Sequence, residues 1–292
     1  RLVGSEMCIR DRHILRSSFG MPYPGIWMTE SEQILYRVVP KAACSSIGQI
    51  LYYTEHGTFF DGDIHDARHG IHKWALEHSQ PLISRAVESP DTYKFSCVRN
   101  PYQRILSSFF DKICGVQRSG GRYRKTLVPF LIKNYDIEVG GEDGKQAFDQ
   151  IRSFRRFLLF ARDTIQWHRP MAPDIHWSSI ADHLATLVVN GGRFDSIFWV
   201  ERFDDGMQQV LDRVETTHPV DLAVVPRFNQ SQVHGPKRAH PVADYFDDLS
   251  MHLMYEMYRR DFYLFKYDYF DPSNMMPMAE MDLDEIHTEL AK

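Results

Sequence analysis

The sequence predicts an α/β fold, a three-layer α/β/α domain with a central, mostly parallel sheet. Two stretches carry this expectation. Residues 33–50, QILYRVVPKAACSSIGQI, pass from an apolar, partly β-branched strand through a turn of small residues into a helix. Residues 93–112, YKFSCVRNPYQRILSSFFDK, repeat that order with a strand at 95–98, a polar turn and a helix. Strands that alternate with helices pair in parallel and are covered by helices on both faces. The third observation is size: 292 residues at 43% hydrophobic content are ample for one large core. One domain is expected over 13–270, between a non-native or disordered leader at 1–12 and an acidic tail at 271–292.

The formal net charge is -5. The tail from Asp271 holds six carboxylates against Lys292, so the preceding residues carry no net charge. Overall charge therefore argues against a nucleic acid or another polyanion as partner, and any anion preference must be local. No run approaches the roughly 20 apolar residues of a membrane helix. Cys8, Cys44, Cys97 and Cys114 show no metal-type pairing and are expected as reduced thiols.

The leader, RLVGSEMCIRDR, lacks the apolar core of a signal peptide. An entry loop follows at 20–32, then the first strand at 34–39. Every residue from Ala42 to Ser46 is small, so the backbone of the turn can approach a ligand closely. Ser45 and Ser46 can cap the helix expected over 46–54, whose first N–H groups have no partner inside the helix. A helix N-terminus behind such a turn cradles anions, and Lys41 adds a mobile positive charge. The plainer alternative is a capped helix after a core strand, with Lys41 in water. The turn is not the nucleoside-triphosphate loop, since GxxxxGK[ST] is absent.

Residues 56–74 are rich in Gly, Asp and His. His65 and His69 form an HxxxH pair without a central glutamate or a third ligand, so no metal is expected. A helix is expected at 75–89. At the end of the second strand Arg99 can grip a phosphate with its two-pronged guanidinium. Pro101 suits a first helical turn. Arg104 and Ser107 share one helix face. The plainer alternative is again a capped core helix with scattered surface arginines. Residues 117–126, QRSGGRYRKT, form a basic segment with glycine hinges, either a solvated loop or a lid. Helices are expected at 145–162, 205–216 and 242–262, the last with Tyr245, Leu249, Leu253 and Met257 on its apolar face, and a strand at 196–200. Trp177 can stack on a sugar or fill the core. Residues 225–241 have the composition of a loop. The methionine-bearing acidic tail is expected to be disordered, with a docked helix as the alternative.

The turn Pro40-Lys41-Ala42-Ala43-Cys44-Ser45-Ser46 resembles the PKxxCTS-like loop of sulfotransferases, specifically the branch that includes the Golgi carbohydrate sulfotransferases. Arg99-Asn100-Pro101-Tyr102-Gln103-Arg104-Ile105-Leu106-Ser107 resembles the RxPxxRxxS segment of the same family. His176-Trp177, Glu201-Arg202-Phe203 and the closing YxxDFxxFxY pattern from Tyr258 are weaker echoes, and Glu201 precedes Arg202 in a shuffled order. The resemblance implies a P-loop-like domain that uses PAPS (3′-phosphoadenosine 5′-phosphosulfate) as co-substrate, with no metal. It implies a 5′-phosphosulfate site at Lys41, Ala42, Ala43, Cys44, Ser45 and Ser46, and a 3′-phosphate site at Arg99 and Ser107. In the family Asn229, Ser231, Lys237 and Arg238 would close over the nucleotide.

Sulfuryl transfer to an alcohol needs a group that takes the hydroxyl proton, and histidine titrates in the right range. The family places such a residue between the two motifs, which makes His72 the first choice and His69 the second. Lys41 would neutralise the charge that grows on the bridging oxygen. The expected acceptor is a carbohydrate or another hydroxyl-bearing molecule. The resemblance implies a cytoplasmic enzyme for a microbial chain and a Golgi-lumenal one for a truncated eukaryotic relative. A nucleoside-triphosphate-dependent kinase and a catalytically inactive glycan- or nucleotide-binding module are the rival classes.

Overall fold

The computed structural model describes residues 25–65, 80–114, 123–140, 146–225 and 238–292. Its strands are β1 (Ile26–Met28), β2 (Ile34–Arg37), β3 (Tyr93–Val98) and β4 (Ser196–Trp199), in the spatial order β1-β2-β3-β4. β1 is antiparallel to β2, while β2–β3 and β3–β4 are parallel. The helices are α1 (Cys44–His56), α2 (Gln80–Glu88), α3 (Pro101–Ser108), α4 (Val128–Tyr135), α5 (Gln150–Trp167), α6 (Ile180–Val188), α7 (Phe203–Leu211), α8 (Asp248–Leu264) and α9 (Leu283–Leu290). This is the three-layer α/β architecture that the two strand–turn–helix stretches predict.

Strand alternation divides the side chains between two cores. On one face Trp27, Ile34, Tyr36, Phe95, Cys97 and Phe198 pack with Ile47, Ile50 and Leu51 of α1 and with Met207 and Val210 of α7. On the other face Leu35, Val98 and Trp199 meet the larger core built from α3, α5, α6 and α8. There Phe154, Phe157, Leu158 and Ala161 of α5 are buried on one helical face. The basic side of α5 is used locally. Arg152 pairs with Asp136 and Glu138, and Arg155 pairs with Asp247.

The long helix α8 begins later than its periodicity suggests. Asp247 caps it by accepting from the Ser250 N–H. Leu249 is therefore in solvent, and the buried stripe shifts to Leu253, Met254, Met257, Tyr258 and Phe262. The end of the chain also departs from the expectation of disorder. Asp282 caps α9, which buries Ile286 and Leu290, while His287 accepts a hydrogen bond from the Phe194 N–H. Two apolar anchors and the hydrogen bond to His287 Nε2 outweigh the acidic composition. Met276 and Met278 stay exposed, while Met281 packs against the larger core.

Candidate active site

The site lies at the C-terminal ends of β2 and β3, where open α/β sheets bind ligands. The first turn leaves β2 and reaches α1 through two non-glycine residues in left-handed conformation, Lys41 (φ 69) and Ala43 (φ 56). Each such residue costs about 1–2 kcal/mol. Burial of Ile47, Ile50 and Leu51 just downstream contributes about 1.5–3 kcal/mol apiece, so packing of α1 holds the turn against that cost.

Ala43 is the N-cap, and no side chain caps the helix. Ser45 and Ser46, expected as caps, lie inside the first turn instead. The Ser45 hydroxyl is spent on His65, 2.8 Å from Nε2, and the Cys44 sulfur lies 3.9 Å from the same nitrogen. Burial opposes charging of His65, but the Cys44 sulfur and Asp63 hold it above the usual histidine value. Ala42 is fully buried and its N–H donates to the Val39 carbonyl. The first intrahelical bond of α1 runs from the Ile47 N–H to the Ala43 carbonyl, so the N–H groups ahead of Ile47 have no intrahelical acceptor, an arrangement that suits an anion.

Lys41 reaches across to the helix after β3. Its Nζ lies 3.0 Å from Oδ2 of Asp111, and Lys112 Nζ lies 3.1 Å from the same oxygen. Asp111 and Lys112 sit on a π-helical turn, Phe109–Ile113, that continues α3. Burial alone would raise the Asp111 carboxyl, but the two lysines hold it at about 2. Burial lowers Lys41 despite the carboxylate.

The second turn is capped by its own side chain. Asn100 accepts from the N–H groups of Tyr102 and Gln103, and Pro101 occupies the first helical position. Arg99 donates through Nη1 to the Lys41 carbonyl at 3.0 Å and through Nη2 to Gln103 at 3.0 Å. Its Nε is buried without a partner among the described residues. A guanidinium carries five N–H donors. The orphaned Nε and the unspent donors fit a bound phosphate. Glu201 lies behind Arg99, accepting from the Asn100 N–H at 3.1 Å and the Tyr267 hydroxyl at 2.6 Å. Burial raises the Glu201 carboxyl, and its charge together with that of exposed Arg238 is felt at Arg99.

Arg104 has a structural task. Fully buried, it donates to the carbonyls of Pro40, Ile175 and Ser178, and so ties the first turn to the segment before α6. Ser107 is buried on α3, and its hydroxyl makes no hydrogen bond with the described residues. The closing pattern on α8 serves the same end of the sheet. Tyr258 donates to the Trp177 carbonyl at 2.5 Å, and Asp261 accepts from Ser179, Ile180 and Ala181 at the start of α6. Trp177 fills the core and donates to Thr164.

The structure thus brings Arg99 against the turn of Lys41, Ala42, Ala43, Cys44, Ser45 and Ser46, while Ser107 lies further along α3 without a hydrogen bond to that turn. His69 and His72 lie outside the described residues, as do Asn229, Ser231 and Lys237. Sequence reasoning passed over Asp111 and Asp174, and it met His176 and Glu201 only as weak family echoes without assigning them partners. Asp111 meets Lys41 70 residues away, Glu201 meets Asn100 101 away and Asp174 meets Tyr123 51 away, and no local pattern marks such contacts. Among the described residues there is no cluster able to hold a metal ion, and no helix is long and apolar enough to cross a membrane.

Comparison with known proteins agrees with this geometry. The model of the Sulfotransferase family matches residues 24–268. Carbohydrate sulfotransferase 8 of Homo sapiens is 24% identical over 276 residues, covering 91% of this chain and 59% of the relative. Carbohydrate sulfotransferase 9 of Homo sapiens is 26% identical over 255 residues, covering 83% of this chain and 53% of the relative. Carbohydrate sulfotransferase 10 of Xenopus laevis is 23% identical over 262 residues, covering 83% of this chain and 67% of the relative. The chain thus spans a little over half the length of the first two. No solved structure matches it significantly. With the family model covering both turns and the sheet between them, the chain belongs to the sulfotransferase family.

Proposed function

We propose that the chain transfers a sulfuryl group from PAPS to a hydroxyl of a carbohydrate acceptor. The observation that carries this reading is the 3.0 Å hydrogen bond from Arg99 to the Lys41 carbonyl. It puts Arg99 against the turn that carries Lys41, at the ends of neighbouring parallel strands, which supports one nucleotide being held by both. The names of the relatives favour a carbohydrate over other acceptors.

PAPS supplies the sulfuryl group and a leaving bisphosphate. Lys41 leaves Asp111 or shares it, and places its ammonium where negative charge grows on the bridging oxygen. The uncapped N-terminus of α1 adds its N–H groups to the same task. Arg99, helped by Arg238 and Ser107, holds the 3′-phosphate and so orients the donor. A removed donor at such an oxyanion typically costs about 10²–10³ in rate.

The test is transfer of labelled sulfate from PAPS across glycans, phenols and steroids, with a thermal-shift comparison of 3′,5′-bisphosphate against ATP with magnesium. Sulfated glycan and stabilisation by the bisphosphate are expected. Stabilisation by ATP alone points to a kinase. Bisphosphate binding without transfer to any acceptor points to an inactive binding module.

A further inference from the structure

We infer that His176, backed by Asp174, takes the proton from the acceptor hydroxyl. The inference rests on the sulfuryl-transfer reading. His176 lies in the segment between α5 and α6. Its Nδ1 is 2.6 Å from Oδ1 of Asp174, and its backbone N–H donates to the same oxygen at 3.0 Å. The other carboxylate oxygen accepts from the Tyr123 hydroxyl at 2.5 Å. A carboxylate held in this way keeps the proton on Nδ1 and leaves the lone pair of Nε2 as the base. Nε2 has no partner among the described residues, and the side chain remains 17% exposed.

The ring is also fixed close to Lys41. Arg104 binds the carbonyls of Ile175 and Ser178, on either side of His176, and that of Pro40, next to Lys41. Ser108 donates to the His176 carbonyl. Lys112 lies over the Tyr123 ring, 5.9 Å from its centre, and shares Asp111 with Lys41. A continuous set of contacts therefore runs from the lysine that neutralises the leaving oxygen to the imidazole.

The other described histidines near the turn are spent. His65 uses Nε2 on Ser45, and His183 uses Nε2 between the Ser178 hydroxyl and the Ile175 carbonyl. In the transfer step the acceptor O–H bond breaks and its proton passes to Nε2. The oxygen's electron pair forms the new bond to sulfur. The old sulfur–oxygen bond breaks, and its pair stays on the departing bisphosphate beside Lys41.

Among the described residues, the charged and titratable groups facing the ring are Asp174 on its own segment, Tyr123, Lys112, Lys41, and His183 of α6. Burial, with Lys112 and Lys41, lowers His176 below the usual histidine value, while Asp174 opposes them. That balance favours the neutral imidazole, the form that can act as a base.

The experiment compares wild type, His176→Gln and Asp174→Asn in PAPS-driven sulfation, with 3′,5′-bisphosphate affinity measured separately. His176→Gln should lower kcat by about 10²–10⁴-fold, with bisphosphate affinity within threefold. Asp174→Asn should lower kcat at least tenfold. Wild-type kcat/KM should fall on acidification through one ionisation below about 6.5, a limb absent in His176→Gln. The wild-type profile checks the proposal even if a variant fails to fold. A kcat within threefold of wild type in His176→Gln, or a wild-type rate flat through that pH range, overturns it and leaves the sulfuryl-transfer reading standing. Bisphosphate binding by the wild type without any sulfated product removes both.

Discussion

The two strand-to-helix turns at the ends of β2 and β3 share one order of elements and use opposite devices. The turn after β3 closes its helix with its own chemistry. Asn100 takes two N–H groups, and Pro101 removes the need for a third. The turn after β2 leaves its helix uncapped, begins with two left-handed residues and is lined by small side chains. The difference separates two ways of reading an anion. On the proposed reading, an open helix end offers backbone N–H groups to charge that changes during the reaction, and a closed one fixes a strand end so that a single side chain, Arg99, holds charge that does not change. Lys41 belongs to the first turn and Arg99 to the second, so their removal should produce different defects.

The largest expected effect is at Lys41. Lys41→Ala should lower turnover by about 10²–10³-fold while 3′,5′-bisphosphate binding is partly kept. Near-normal turnover with a sulfated product would erase the distinction between the turns. Next comes Arg99→Ala, which should weaken bisphosphate binding by about 1.5–3 kcal/mol, the value of hydrogen bonds to a charged group. Turnover at saturating donor should change far less. Arg99→Lys should recover little of the affinity, because an ammonium lacks the planar fork. If kcat fell and affinity did not, Arg99 would belong with the reacting charge.

The smallest effects have opposite signs in the two turns, and denaturant titration resolves them. Asn100→Ala removes a cap and should cost about 1 kcal/mol. Ala43→Gly relieves a left-handed residue worth about 1–2 kcal/mol, against a gain in unfolded-chain entropy of about 0.4–1 kcal/mol. The net should be a gain of about 0.5–1 kcal/mol in stability. A loss at Ala43→Gly would mean that the left-handed turn is not strained, and the contrast with Asn100 would shrink to a difference in capping alone.

Much of this was legible along the chain because the pattern is local. The strand at Ile34–Arg37, the small residues after it, and Pro101 one residue after Asn100 each act over a few positions. Two local readings failed for physical reasons. Ser45 and Ser46 have the chemistry of caps, but the turn takes Ala43 as its cap residue, and Ser45 meets His65 instead. The acidic end has the composition of a disordered tail, but Ile286, His287 and Leu290 find partners on the domain.

By itself, then, the sequence determined the alternation of strand and helix, the parallel sheet, and the two turns with Lys41 and Arg99, since propensity, capping and side-chain period are short-range properties. Only the tertiary structure decided that Asp111 holds Lys41, that Glu201 and Tyr267 stand behind Arg99, and that Asp174 and His176 are tied to Pro40 through Arg104. Those contacts join residues tens of positions apart, and the packing of helices against the two faces of the sheet, not any neighbouring pattern, brings them within hydrogen-bond reach.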